Sequence, residues 1–259
     1  MHNVKTCVIG GSGAYKLLEE FKKTELPAAE TPHGKISAPI AICEYDGIEF
    51  AFLQRHGKNH EYPAQVVPYA ANIWALKQLG VDAILATFTC GSLQEHVAPN
   101  SFVIPDQFFD RTKKRQDTFF DTVLKHVGAA EPYCPNLRSV FARACEKAQA
   151  KFHDGGTVVV IEGPRFSTKA ESKWFRKMGW DIVTMTQYPE AILARELGIC
   201  YASAGLVTDY DCGFEKTESV SHGLVLDVFK QNEGVTRKIM LEAVKLVEEN
   251  RLCDCRKGV

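Results

Sequence analysis

Residues 65–87 read QVVPYAANIWALKQLGVDAILAT, and this stretch decides the fold class. Val66, Tyr69, Ala70, Ile73, Trp74 and Leu76 recur at the spacing of one helical face. Gly80 stands where a helix commonly ends in a left-handed residue. The run 81–87 that follows is short and apolar, as in a strand covered on both faces. A helix feeding straight into such a strand is part of an α/β unit, and the same alternation spreads in both directions. Toward the N-terminus, residues 3–9 read as a strand that runs into Gly10-Gly11-Ser12-Gly13. The apolar runs 40–45 and 48–53 flank Asp46-Gly47, a strong short hairpin signal. Toward the C-terminus come a strand at 101–104, a polar stretch from Asp110 to Asp117 expected to be mobile, helix 135–151, strand 156–161, helix 168–178, strand 181–185, helix 189–197, strand 199–207 and helix 224–250. The expectation is a single α/β domain over residues 1–259, in three α/β/α layers around a mixed, mostly parallel central sheet. No linker or repeat interrupts it.

Charge and composition narrow the function. The chain has 259 residues, with 31 Lys plus Arg against 32 Asp plus Glu and a formal charge of −1. No basic stripe suits a nucleic acid, so an anionic substrate needs a local site. The start MHNVKTCVIGG has no signal-peptide pattern, and no apolar run has the length of a membrane span. The expectation is a cytoplasmic protein with neither a nucleic-acid nor a membrane partner. Nine cysteines (7, 43, 90, 134, 145, 200, 212, 253, 255) form no C-x-x-C pair, which argues against a zinc ribbon. Most are expected to be reduced core thiols. Cys253 and Cys255 stand apart in the polar tail 251–259, where they are expected to lack a core and to be open to disulfide or redox chemistry. His56 and His60 are four apart, but Gly57 disfavours the helix that a metal pair would need, so no metal is expected.

Unusual residue clusters fall just after the expected strands: Gly10–Gly13, Arg55-His56, Thr87–Ser92, Glu162–Phe166, Thr184–Thr186 and Asp209–Asp211. In open α/β sheets ligands sit beyond the carboxyl ends of strands, so these clusters should converge. Gly10–Gly13 can offer backbone N–H groups to an anion, or be a plain tight turn. Arg55 offers a guanidinium fork for bidentate phosphate binding, with the His56 imidazole beside it. The same Arg-His-Gly run occurs in histidine phosphatases and mutases, although there it follows the first strand. Asp209 and Asp211 flank Tyr210, which in extended geometry points both carboxylates to one side. Their mutual repulsion would favour protonation of one of them, giving a general acid, or the pair caps a turn.

Together these clusters resemble the methylthioadenosine phosphorylase and trimeric purine nucleoside phosphorylase family from about residue 7 to 250. The matches include Ile9–Gly13, Arg55–Gly57, Ala71–Lys77, Cys90–Leu93, Asp106–Phe108, Ile161–Ser167, Met185-Thr186, Pro189-Glu190 and Thr208–Asp211. The resemblance implies the nucleoside phosphorylase fold and phosphorolysis of 5′-methylthioadenosine or a related 6-aminopurine nucleoside. Inorganic phosphate would be co-substrate, with no cofactor and no metal. A broader purine nucleoside phosphorylase acting on adenosine or inosine is the alternative.

Residue by residue, the resemblance places Ser12, Arg55, His56, Phe88, Thr89 and Thr186 around the phosphate, Phe166 at the purine and Met185 at the ribose, with Ser167 and Tyr210 also among the substrate-binding residues. Asp209 would meet N7 and the 6-amino group, supported by Asp211 beside Tyr210. His126 would enter a neighbouring subunit's site, in a homotrimer or a hexamer built from trimers. Relatives that prefer 6-oxopurines carry Asn where Asp209 stands. Phe88-Thr89 replaces the Thr-Ala of close relatives, leaving a backbone contact to phosphate, and Thr184 replaces a frequent Asn. His222 falls where a His accompanies a 5′-hydroxyl and an apolar residue accompanies a methylthio group, or else it caps the last helix.

Overall fold

The structure, a computed structural model, describes residues 4–11, 19–214, 220–247 and 253–256. The chain opens with β1 (Thr6–Gly10), β2 (Lys22–Leu26) and the short strands β3 (Glu30–Thr31) and β4 (Gly34–Lys35). Next come β5 (Ile40–Tyr45), β6 (Ile48–Gln54), helix α1 (Tyr69–Gln78) and β7 (Ala83–Ser92). β8 (Phe102–Ile104), β9 (Gln107–Arg111), α2 (Pro135–Ala148), β10 (Phe152–Asp154) and β11 (Thr157–Ile161) follow. The described chain then runs through α3 (Lys169–Lys177), β12 (Ile182–Thr184), α4 (Glu190–Glu196), β13 (Cys200–Asp209) and α5 (His222–Leu246).

The centre of the sheet is parallel: β1 lies between β6 and β7, and β13 lies beside β7. Antiparallel partners extend it, with β5 and β2 beyond β6 and β8 against β13. A second arm, in which β9, β11 and β12 pair in parallel, joins through β12 to the end of β7 at Gly91 and Ser92. β7 and β13 are buried almost throughout and read as near-continuous apolar runs, because helices cover both faces. Strand alternation sorts the side chains. Ile84, Ala86 and Phe88 of β7 pack with α1 and α4, whereas Ala83 and Leu85 pack with α2 and α5. That division is the three-layer arrangement.

Local chemistry explains the elements read from sequence. The hairpin turns at Asp46 (φ 52°) and Gly47 (φ 78°), with Tyr45 opposite Ile48, a conformation that Asp-Gly tolerates. α3 begins in a capping box: the Thr168 hydroxyl accepts from the Glu171 N–H, and the Glu171 carboxylate accepts from the Thr168 N–H. α1 starts later than its apolar spacing suggests, because Pro68 lies just before it and residues 64–66 form a separate 3-10 turn.

Two expectations need correction. The stretch 110–117 begins on β9 and is anchored by Arg115, whose side chain is 2% exposed. The tail is not coreless either. Cys255 is buried and Cys253 half-buried, and both pack against the α2/α5 side of the sheet. Contact with Cys134 pulls the Cys255 thiol down in pKa, but contact with Cys200 together with burial outweighs this and pushes it up to about 12.

Candidate active site

β1, β6, β7 and β13 run in parallel, so their carboxyl ends share one edge of the sheet, and the loops of the second arm meet them there. The result is an open-mouthed cleft at the carboxyl edge of the sheet. Arg55, His56, Phe88, Thr89, Phe166, Met185, Thr186, Asp209, Asp211 and His222 all line it. Ser167, Tyr210 and His126 do not, and Ser12 lies outside the described residues. Tyr210 points the other way along the extended chain, toward Phe214 and the Glu95 carbonyl. His126 is exposed. Phe88 turns its ring against Gly205, leaving its backbone for any contact with an anion.

In the lining of the cleft, Arg55 is fully buried and is not the open fork that sequence suggested. Its Nε and Nη2 each donate to Glu190 at 2.7 Å, and Nη1 donates to the Thr87 carbonyl at 2.8 Å. One N–H on each terminal nitrogen remains for a ligand. Burial opposes the guanidinium charge, but the Glu190 carboxylate outweighs it and holds Arg55 protonated. Gly11 is required by this packing, since a Cβ there would lie 3.0 Å from Arg55 Nη1 and 2.7 Å from the Thr87 oxygen.

His56 is within hydrogen-bond distance of the Tyr62 carbonyl through Nδ1, at 2.8 Å. Burial, and then the charge of Arg55, lower its pKa to about 4, so the ring is neutral and donates from Nδ1. Nε2 therefore presents a lone pair, suited to a P–O–H group. The Thr186 hydroxyl oxygen is buried and lacks a protein partner.

Asp209, in the lining of the same cleft, ends β13. Its Oδ2 accepts from the Thr208 hydroxyl and its Oδ1 from the Asp211 N–H, both at 2.7 Å. Burial raises its pKa to about 6, against two hydrogen bonds that lower it, and the charge of Asp211 is a lesser cause. Repulsion between the two acids is thus not the main source of the shift. Gly91 makes room for the carboxyl group: a Cβ there would stand 2.8 Å from Asp209 Oδ1. Asp211 adopts φ 54°, and its Oδ2 is buried without a partner.

His222 opens α5, while capping falls to Ser221, whose hydroxyl accepts from the Leu224 N–H. His222 is therefore free of the capping role and lines the cleft beside His60.

Sequence reading missed two supports. Glu190 opens a mostly apolar helix, where an acid reads as a complement to the helix dipole. Arg115 sits in a polar run that resembles any surface loop. Its guanidinium donates to the carbonyls of Glu162 and Met185, each at 2.9 Å, and to that of Tyr188, and it packs over the Tyr69 ring. It thereby ties together the loops that carry Phe166 and Met185. Arg115→Met should keep the fold while raising KM for whatever substrate the cleft takes on the order of tenfold, because misplaced cleft groups bind less well. Steady-state kinetics would check this, and an unchanged KM would remove Arg115 from the positioning of these loops.

The chain belongs to the phosphorylase superfamily, whose model matches residues 5–245. Within that family it is 46% identical to the S-methyl-5′-thioadenosine phosphorylase of Pyrococcus horikoshii, over 97% of this chain and 96% of that one. It is 42% identical to the purine nucleoside phosphorylase of Streptomyces coelicolor, over 97% and 92%. Among solved structures, methylthioadenosine phosphorylase from Schistosoma mansoni in complex with adenine superposes with a TM-score of 0.91 at 38% identity, covering 96% of this chain and 93% of that one. The mixed, largely parallel sheet is the nucleoside phosphorylase fold. Among the described residues no helix is long and apolar enough to cross a membrane.

Proposed function

We propose that the chain is a pentosyltransferase that uses inorganic phosphate to cleave 5′-methylthioadenosine, or a related 6-aminopurine nucleoside, into adenine and the ribose 1-phosphate derivative. The observation that carries this reading is that one cleft is lined by Asp209, Arg55, neutral His56 and Thr186, whose hydroxyl has no protein partner. Buried polar atoms without partners are rare, and such atoms lining a cleft suit a polar ligand. The relatives named for methylthioadenosine, and the Schistosoma mansoni variant solved with that nucleoside, support the same substrate.

Breaking the N-glycosidic bond leaves positive charge on the ribose and negative charge on the purine. Phosphate, held by Arg55, His56, Thr186 and the backbone at Phe88 and Thr89, stabilises the first and then attacks C1′. Asp209, in the fraction of molecules in which its raised pKa leaves it protonated, gives its proton to N7 and so stabilises the second, while Asp211 holds the loop in place. Phe166 covers the purine and Met185 the ribose. His126, which does not line the cleft of its own chain, serves the cleft of a neighbouring copy in a homotrimer or a hexamer built from trimers.

Incubation with methylthioadenosine, adenosine and inosine, with and without phosphate, tests the reading by the free base released. Adenine should form only with phosphate. Release without phosphate would overturn phosphorolysis, and hypoxanthine as main product would overturn the role of Asp209.

The placement of His222 and His60 together in the cleft favours a second substrate. Imidazole can hydrogen-bond a 5′-hydroxyl but not a methylthio group, so adenosine is expected to be turned over as well. His222→Val should shift the ratio of kcat/KM for methylthioadenosine over adenosine upward, on the order of tenfold, as loss of one polar contact to a hydroxyl does. An unaltered ratio would detach His222 from the 5′ position.

A further inference from the structure

At the opposite end of β13 from Asp209, roughly 30 Å away along the strand, four thiols converge. Cys134 precedes α2, and Cys200 is the first residue of β13. The two are held together by a hydrogen bond from the Cys134 N–H to the Tyr201 carbonyl at 2.7 Å. Cys253 and Cys255 arrive from the tail, whose Asp254–Arg256 turn is fastened by an ion pair between Arg256 and Asp82 at 3.1 Å. All four sulfur atoms lie within 4.8 Å of one another, and those of Cys200 and Cys253 are 3.4 Å apart. Cys134, Cys200 and Cys255 are buried.

Ligand geometry separates this group from thiols that merely fill a core. Four thiolates at about 2.3 Å from a tetrahedral zinc ion have sulfur–sulfur edges of about 3.8 Å, so shifts of well under an ångström would close the present cluster on an ion. A disulfide instead draws two sulfurs to about 2.0 Å and leaves the others aside. Mutual closeness of all four fits one ion between them better than two separate bonds. Spacing along the chain concealed the set, since its members come from three distant segments and the tail supplies a Cys-x-Cys pair rather than Cys-x-x-Cys.

We propose that Cys134, Cys200, Cys253 and Cys255 form a structural tetrathiolate site for a soft divalent cation, zinc in the first instance, which clamps the tail to the starts of α2 and β13. All four positions are taken by protein, so no site is left open for water or substrate, and the ion stabilises the fold without entering the reaction at the cleft.

The full chain, purified with reductant and without chelator, should carry about one zinc ion per chain by elemental analysis. Cys253→Ser should lower that content at least tenfold, and Cys134→Ser should do likewise. Cobalt in place of zinc should give the intense visible bands of a tetrahedral tetrathiolate complex, a test that needs no variant and so stands even if Cys134→Ser fails to fold. Chelator should lower the melting temperature of the wild-type chain but not of Cys253→Ser, while phosphorolysis well below melting stays unchanged. Zinc-free protein that takes up no cobalt would overturn the proposal. So would an intact mass short of two hydrogens per disulfide at these cysteines.

Discussion

Asp209→Asn is expected to reduce kcat/KM for 6-aminopurine nucleosides on the order of 10²–10⁴-fold, the contribution of a positioned acid, and to reduce inosine turnover far less. Asn keeps an acceptor for the Asp211 N–H. It cannot deliver a proton to N7, and its amide suits a 6-oxo group better than a 6-amino group. Equal losses on adenosine and inosine would remove Asp209 from base selection.

The same variant should alter stability in a predictable direction. The folded carboxyl has a pKa of about 6 against an ordinary 3.8, because it is buried. Between those values the folded chain keeps a proton that the unfolded chain has released, so this group's contribution to stability declines as pH rises through the window and is level above it. Asp209→Asn should flatten that part of the melting-temperature profile between pH 4 and pH 6. A profile identical to wild type would place the proton elsewhere. The site thus sacrifices some stability at neutral pH to keep a proton available for the leaving base.

Glu190→Ala is expected to cost about 3–5 kcal/mol, the usual penalty for stripping one partner from a buried ion pair, and hence to lower the melting temperature by roughly 6–20 °C. Arg55 and Glu190 are 0% and 2% exposed, so water cannot take over the abandoned guanidinium. Tyr201 would also lose its 2.7 Å hydrogen bond to Glu190. Replacing both charges, as in Arg55→Met with Glu190→Leu, should recover much of the stability, because two apolar groups leave no buried charge uncompensated. Phosphate saturation should not recover. Thermal unfolding and phosphate KM measured on the two variants separate Arg55's structural pairing from its contact with phosphate, and a double variant with normal phosphate KM would refute that contact.

How far the sequence could be read depended on whether a feature is local. Asp46-Gly47 and the helix-to-strand passage through Gly80 act within a few residues, and each formed where it was read. The strand-end clusters were legible for the related reason that a parallel sheet brings its carboxyl ends to one edge. β2 and β9 escaped: their side chains are mostly exposed and lack a clear apolar alternation, and their pairing comes from distant partners. Arg115 and Glu190 escaped as well, because a charged residue in a polar loop or at a helix start gives no sign that it will be buried.

By itself, the sequence determined the layered α/β architecture, the residues that gather at the carboxyl edge and the family, since periodicity, turn chemistry and ordered motifs are properties of neighbouring residues. Tertiary structure alone decided that Arg55 is shared with Glu190, that His56 is neutral, that burial rather than Asp211 raises the Asp209 carboxyl, and that four cysteines from three segments meet. Each of these depends on dielectric and on distance in space, and neither can be read from position along the chain.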